Sequence, residues 1–157
     1  AFDGTPFKSA VWRLLGVRMG RRVFDDGCGI PEKTLVAIGD DTTLNAGSVI
    51  QCHSQEDGAF KSDRITIGAG CTVGVGAWVH YGVTMGDGAM LGPDAFLMKG
   101  EDVPPQARWA GNPARDLGDD RALAMQLRGT RSEHASSQPA AVTAPTSAAT
   151  GGTRCNE

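Results

Sequence analysis

Counting in sixes from Ile67 lands on an aliphatic side chain at every step: Ile67, Val73, Val79, Met85, Leu91, Leu97 and Val103. Ile, Val, Leu and Met make up roughly one residue in five, so seven in a row has a chance on the order of one in 10⁵. The residues after them read Gly68, Gly74, His80, Gly86, Gly92, Met98 and Pro104. Two places before each new aliphatic stand Cys71, Ala77, Val83, Ala89, Ala95, Glu101 and Ala107, most of them small. Ile38, Leu44 and Ile50 repeat the period one residue out of phase, so an insertion separates the blocks, the polar stretch from Cys52 to Arg64. Met19-Gly20 echoes the same step further upstream.

A helix cannot produce this pattern, because its apolar face recurs at three, four and seven. A hairpin sheet alternates by two without resetting. A short strand followed by a sharp turn does reset every six residues. Three such units close a triangular coil of about 18 residues, and coils stack at about 4.8 Å, the interstrand spacing. The aliphatic fills the interior, the small residue faces inward at the corner, and Gly relieves the backbone where the chain turns. The predicted fold class is therefore all-β, a parallel β-helix of hexapeptide repeats. Each coil covers the edge of the one before, leaving only the two ends exposed.

Around this core the chain divides into four parts. Residues 1–16 are a lead-in, with Phe7, Val11, Leu14 and Leu15 at helical spacing, read as a short helix capping the first coil. Residues 17–115 are the β-helix, from which 53–64 projects as a loop. Residues 116–128 are read as a C-terminal helix, with Leu123 and Leu127 four apart. Residues 129–157 are rich in Ala, Thr, Ser, Pro and Gly and predict a disordered tail. The first residue is Ala1, not Met, which fits a piece of something longer.

Composition narrows the function classes. A net charge of −3 gives no nucleic-acid footprint. The sequence shows neither a run of 18 apolar residues for a membrane span nor a signal peptide. Cys28, Cys52, Cys71 and Cys155 form no C-x-x-C pair, so they read as reduced thiols in a cytoplasmic protein.

Residues 82–115, "GVTMGDGAMLGPDAFLMKGEDVPPQARWAGNPAR", resemble the last coils of hexapeptide-repeat acyltransferases. Gly82, Val83, Gly86, Asp87, Gly92, Lys99, Val103, Pro104, Gly111, Asn112, Pro113, Ala114 and Arg115 carry the likeness; Gly100 and Glu101 stand as two extra residues after Lys99. A closer resemblance is to the C-terminal segments of poly-ε-lysine synthetase and related peptide-synthetase-like proteins. It rests on "GTPF", "RLLG" and "GRRV" near the start, on Leu44, Asn45, Gln51, His53, Glu56 and Asp57, and on residues 85–114.

These resemblances imply that the β-helix is left-handed and that the activity is acyl transfer. An acyl or aminoacyl group would pass from a pantetheine thioester to an amine or hydroxyl. The donor would be coenzyme A or the phosphopantetheine of a carrier protein, with adenylation and carrier domains as neighbours in the synthetase case. His53 stands where the resembling enzymes carry their general base, and imidazole suits that task because it titrates near neutrality. Glu56 or Asp57 would orient it. Lys99, Asn112 and Arg115 match positions along the donor groove. Asp25, Asp26, Asn45 and His80 are candidate acceptor contacts; Asp25 and Asp26 equally suit a solvated turn, and His80 a structural place. A homotrimer with sites between subunits is implied as well. Some β-helix enzymes bind zinc through three His, but only His53 and His80 fall in these coils, so no metal is expected. The alternative is a non-catalytic trimerising scaffold, which has no need of the His-x-x-Glu-Asp stretch.

Overall fold

The computed structural model describes residues 3–118. A nine-residue helix, α1 (Pro6–Leu14), leads into the strands. These are β1 (Arg18–Met19), β2 (Phe24–Asp25), β3 (Val36–Ile38), β4 (Thr43–Leu44), β5 (Val49–Ile50), β6 (His53–Glu56), β7 (Ala59–Ser62) and β8 (Ile65–Ile67). After them come β9 (Thr72–Val73), β10 (Trp78–Val79), β11 (Thr84–Met85), β12 (Met90–Leu91), β13 (Phe96–Leu97), β14 (Asp102–Val103), β15 (Arg108–Ala110) and β16 (Arg115–Asp116).

From β3 onward the chain visits three sheets in fixed rotation. The first has the order β1-β3-β8-β11-β14, the second β5-β10-β13, and the third β2-β4-β9-β12-β15-β16. Pairing is parallel throughout, except that β16 folds back antiparallel on β15 at the end of the third sheet. The register stacks one interior side chain above another. Met19, Ile38, Ile67, Met85 and Val103 line the first sheet. Ile50, Val79 and Leu97 line the second. Leu44, Val73, Leu91 and Trp109 line the third. All but Trp109 are buried, and Cys71, Ala77, Val83, Ala89 and Ala95 fill the corners between them. The six-residue period is thus the core, read one residue per face.

The phase slip has the expected cause. Ile67 and Met85, eighteen residues apart, pair across one coil. Ile38 and Ile67, twenty-nine apart, also pair across one coil. The extra residues leave as an antiparallel hairpin, β6 with β7, instead of an irregular loop. Its turn is Asp57-Gly58, both at positive φ (53° and 72°), the pair that the tightest hairpins favour. The two residues after Lys99 cause no slip, since Val103 still pairs with Met85.

Many repeat glycines serve a purpose other than the sharp turning expected of them. A Cβ on Gly39 would lie 2.5 Å from the Ala69 main-chain nitrogen of the next coil. These glycines permit close coil stacking. The positive-φ corners fall at a separate set of residues, Gly70 and Gly82 among them.

The helix also departs from expectation. Its apolar residues Phe7, Val11, Leu14 and Leu15 face outward. The inward face is made of donors. Ser9 Oγ donates to the Val23 carbonyl at 2.8 Å, and Arg13 Nε to the Met19 carbonyl at 2.9 Å. Arg13 also bonds the Gly20 carbonyl. The end of a stacked coil presents carbonyls with no further strand to pair them, so hydrogen-bond donors cap it better than apolar groups. Of the C-terminal helix expected over residues 116–128, Asp116 instead closes β16, pairing back on Trp109, and Leu117 and Gly118 are not helical; the rest of that helix and the tail lie outside the described residues.

Candidate functional site

The hairpin emerges at the corner that follows Ile50, and His53 is its first residue. Strand alternation buries Cys52 and turns the His53 ring to the surface, about one-third exposed. Its Nδ1 lies 2.6 Å from Glu32 Oε1. The other oxygen of Glu32 accepts the Cys52 main-chain N–H at 2.8 Å. Glu32 stands just before a short 3-10 turn, Lys33–Leu35, in the segment entering β3. It reaches His53 because one coil lies above the other. Gln51 Nε2 donates to the His53 carbonyl at 3.0 Å, fixing the main chain. Phe60, from the returning strand, stacks on the imidazole with centroids 5.2 Å apart. Nδ1 is thereby committed to the carboxylate, which leaves Nε2 to act on a substrate.

The acids expected to orient His53 do otherwise. Glu56 accepts from Lys99 Nζ at 2.5 Å and from Ser54 Oγ at 2.7 Å, with Lys61 at 3.5 Å. The Lys99 bond, then that of Ser54, holds its carboxyl down at about 2. Asp57 sits at the hairpin turn, almost fully exposed, within 3.8 Å of Lys61. Orientation of the ring falls to Glu32, which contiguity in sequence could not reveal.

His80 lies beside this centre. Gln51 and His80 both follow interior residues that pair across one rung, and the His80 ring bonds to the His53 main chain. Burial holds its imidazole below the ordinary value. Tyr81 packs edge-on at 4.8 Å and Phe96 at 5.8 Å. Asn45 is half-buried, its amide donating to the Val73 carbonyl at 2.8 Å. Asp25 is 1% exposed and occupies the interior row of the third sheet, in register with Leu44. It accepts from Trp12 Nε1 at 2.6 Å, from the Gly27 and Cys28 N–H groups, and faces Lys8 at 2.9 Å. With every oxygen engaged inside the fold, it meets no substrate; only Asp26 of this pair is exposed.

Of the expected donor residues, Lys99 is tied to Glu56, Arg115 Nη1 bonds the Ala114 carbonyl at 2.8 Å with Glu101 at 3.8 Å, and Asn112 is exposed in the turn before β16. All three belong to the last coils.

Comparison with known proteins places this geometry. The chain is 36% identical over 111 residues to a delta-poly-L-ornithine synthetase of Acinetobacter baumannii, a match covering 71% of this chain and 8% of that protein. It is 32% identical over 108 residues to a serine acetyltransferase of Helicobacter pylori, covering 68% and 60% respectively. The chain therefore spans less than two-thirds of either relative. A hexapeptide-repeat acetyltransferase from Vibrio cholerae, solved with acetyl coenzyme A, superposes with a TM-score of 0.59 at 21% identity, over 65% of this chain and 59% of that one. No protein-family model matches. In sequence the chain is similar to acetyltransferases, and it shares the fold of a hexapeptide-repeat acetyltransferase.

Within that fold the cysteines are spectators. Cys28 and Cys52 are buried, and burial pushes both thiols up to about 12. Among the described residues no three His, Cys, Asp or Glu side chains converge as a metal site. No helix among them is long and apolar enough to cross a membrane.

Proposed function

We propose that this chain is a left-handed β-helix that transfers an acyl or aminoacyl group from a pantetheine thioester to an amine or hydroxyl, with His53 as general base and Glu32 as its positioning residue. The observation that carries this reading is the bond from His53 Nδ1 to Glu32 at the mouth of a hairpin. His53 Nε2 takes the proton of the acceptor N–H or O–H. The freed lone pair attacks the thioester carbonyl, and coil N–H groups meet the oxyanion. The C–S bond breaks as the carbonyl re-forms, and the departing thiolate takes the proton back from the His53 imidazolium, giving the free thiol and the neutral base. The imidazolium formed on the way is stabilised by Glu32, as a third member of a relay stabilises its base.

The pantetheine arm lies along the last coils, near Lys99, Asn112 and Arg115. Coenzyme A is the donor in a solved neighbour, and a carrier-borne arm offers the same atoms. The match to a poly-L-ornithine synthetase supports a product built from amino acids; adenylation and carrier domains would then be the neighbours that supply the thioester. A homotrimer is supported by the apolar outer face of the second sheet, where Trp78 stacks on Phe96 at 6.3 Å. Buried free thiols suit a cytoplasmic setting. A trimerising scaffold is the rival, and it has no use for an oriented imidazole at a surface.

The test is thiol release from acetyl coenzyme A and from an aminoacylated carrier, with amines and hydroxyl compounds as acceptors. His53→Ala lowers the rate about 10²- to 10⁴-fold, and Glu32→Gln lowers it by less. Unchanged turnover in His53→Ala removes the catalytic assignment; no turnover by the native protein with either donor favours the scaffold.

A further inference from the structure

Most cations of the described region are neutralised by their own chain. Lys8, Arg21, Arg22, Lys61, Lys99 and Arg115 each face a carboxylate. Of the cations that face no carboxylate among the described residues, Arg18 and Arg64 stand together. Both are exposed, neither guanidinium has an acidic partner among the described residues, and both line one cavity of about 40 Å³. The Asp63 carboxylate next to Arg64 is engaged by the Arg64 main-chain N–H at 2.7 Å. The cavity is also lined by Thr34 and Thr66, together with Leu35, Val36, Ala37 and Ile65. Arg18, Ala37 and Thr66 further line a wider, shallow depression of about 460 Å³ on the outer face of the first sheet.

Two like charges sharing a small concavity repel, and the cost persists until an anion enters. Guanidinium forks flanked by hydroxyls suit a planar, bidentate oxyanion. The cavity is chained to the His53 centre on both sides. Thr34 follows Glu32 by two residues, and Arg64 follows the returning hairpin strand by two, after Asp63, whose N–H donates to the Cys52 carbonyl at 3.1 Å. It lies on the first coils, at β1, β3 and β8, whereas Lys99, Asn112 and Arg115 lie on the last. Substrates approaching His53 from opposite ends would keep donor and acceptor apart until they meet.

We infer that Arg18 and Arg64 form a carboxylate-binding subsite for the acceptor, which is accordingly an amino acid or a peptide bearing a free carboxylate. This rests on the acyl-transfer reading for the word acceptor, but the subsite itself is tested by binding alone. Calorimetric titration of the full chain compares L-ornithine with 1,4-diaminobutane and L-serine with ethanolamine, each pair differing by one carboxylate, and adds 4′-phosphopantetheine as a donor probe. In at least one pair the carboxylate-bearing member binds about tenfold tighter or more, a charge-assisted contact of about 1.4 kcal/mol. Arg18→Met and Arg64→Met each collapse that preference to within about twofold, with unchanged melting temperature and unchanged 4′-phosphopantetheine affinity. The inference is overturned by equal or absent binding within both pairs, or by a preference that survives both substitutions. Loss of 4′-phosphopantetheine affinity in the variants would assign the cavity to the donor and equally overturn it. His53→Ala keeps the carboxylate preference, so failure of the catalytic reading and failure of the subsite give different results.

Discussion

Asp25 shows how a single position can change sides. In its row every later residue is apolar, from Leu44 to Trp109, and Asp25 occupies the same interior register at the open end. Lys8 and Trp12 of the helix supply a counter-charge and a donor, so the carboxylate is buried with its partners. Removing the charge leaves a part-buried ammonium beside a neutral amide that cannot accept from every donor. Breaking a buried pair costs about 3–5 kcal/mol. Asp25→Asn is expected to lower unfolding free energy by about 3 kcal/mol, read from urea denaturation, while leaving thiol release per folded molecule unchanged. A change below about 0.5 kcal/mol, the scale of ordinary surface sites, would show that Asp25 does not hold helix to prism. From sequence Asp25 and Asp26 looked alike, because the partners that separate them stand in α1, more than ten residues earlier. Glu32 escaped notice for the same reason. It contacts His53 across twenty-one residues, whereas Glu56 and Asp57 lay close by in sequence and drew the assignment. Neighbourhood in a stacked coil runs from one coil to the next, so short-range reading picks out His53 and misses the carboxylate that bonds it.

At the level of elements, the hairpin is the part to which the proposal assigns chemistry, and burial anchors it little. All four residues of β7 are exposed. What fastens it to the coils is the Glu56 carboxylate, held by Lys99 from a coil below, with Ser54 and Lys61 on the hairpin itself. The folded-state pKa, about 2, lies below the ordinary glutamate value of 4.5. A depressed carboxyl stabilises the fold fully above its unfolded value and loses that contribution as pH falls toward its folded one. Amide protection in residues 53–62, exchange taken relative to an unstructured chain at the same pH, is therefore expected to fall between pH 4.5 and about 2, ahead of the core strands, and Glu56→Gln should show that lower protection already at pH 7. Hairpin protection that is flat over this range, or identical in Glu56→Gln, would contradict the anchor. Element positions were legible wherever the six-residue period ran unbroken. The helix was legible as an element but not in its orientation. Helical spacing of Phe7, Val11, Leu14 and Leu15 predicts a buried stripe, yet a prism end bristling with carbonyls selects the opposite, donor-bearing face.

For the molecule as a whole, the stacked coils act as a ruler that would set the proposed donor cations, His53 and the Arg18–Arg64 cavity in order along one axis. The repeat revealed that ruler because each interior row needs one bulky aliphatic per turn, a demand that leaves a mark in any single sequence. The site left a fainter mark, since its contacts join residues from different coils and none recurs. The central claim is that a pantetheine thioester reaches His53 along the last coils. The most direct measurement is a crystal structure of the protein with a non-hydrolysable thioether analogue of acetyl coenzyme A. The account predicts the pantetheine arm lying beside β13 and β14, with the sulfur and acyl carbon within contact of His53 Nε2 and the Glu32 bond intact. An arm bound with its sulfur remote from His53, or an imidazole turned away from Glu32 in the complex, would contradict it.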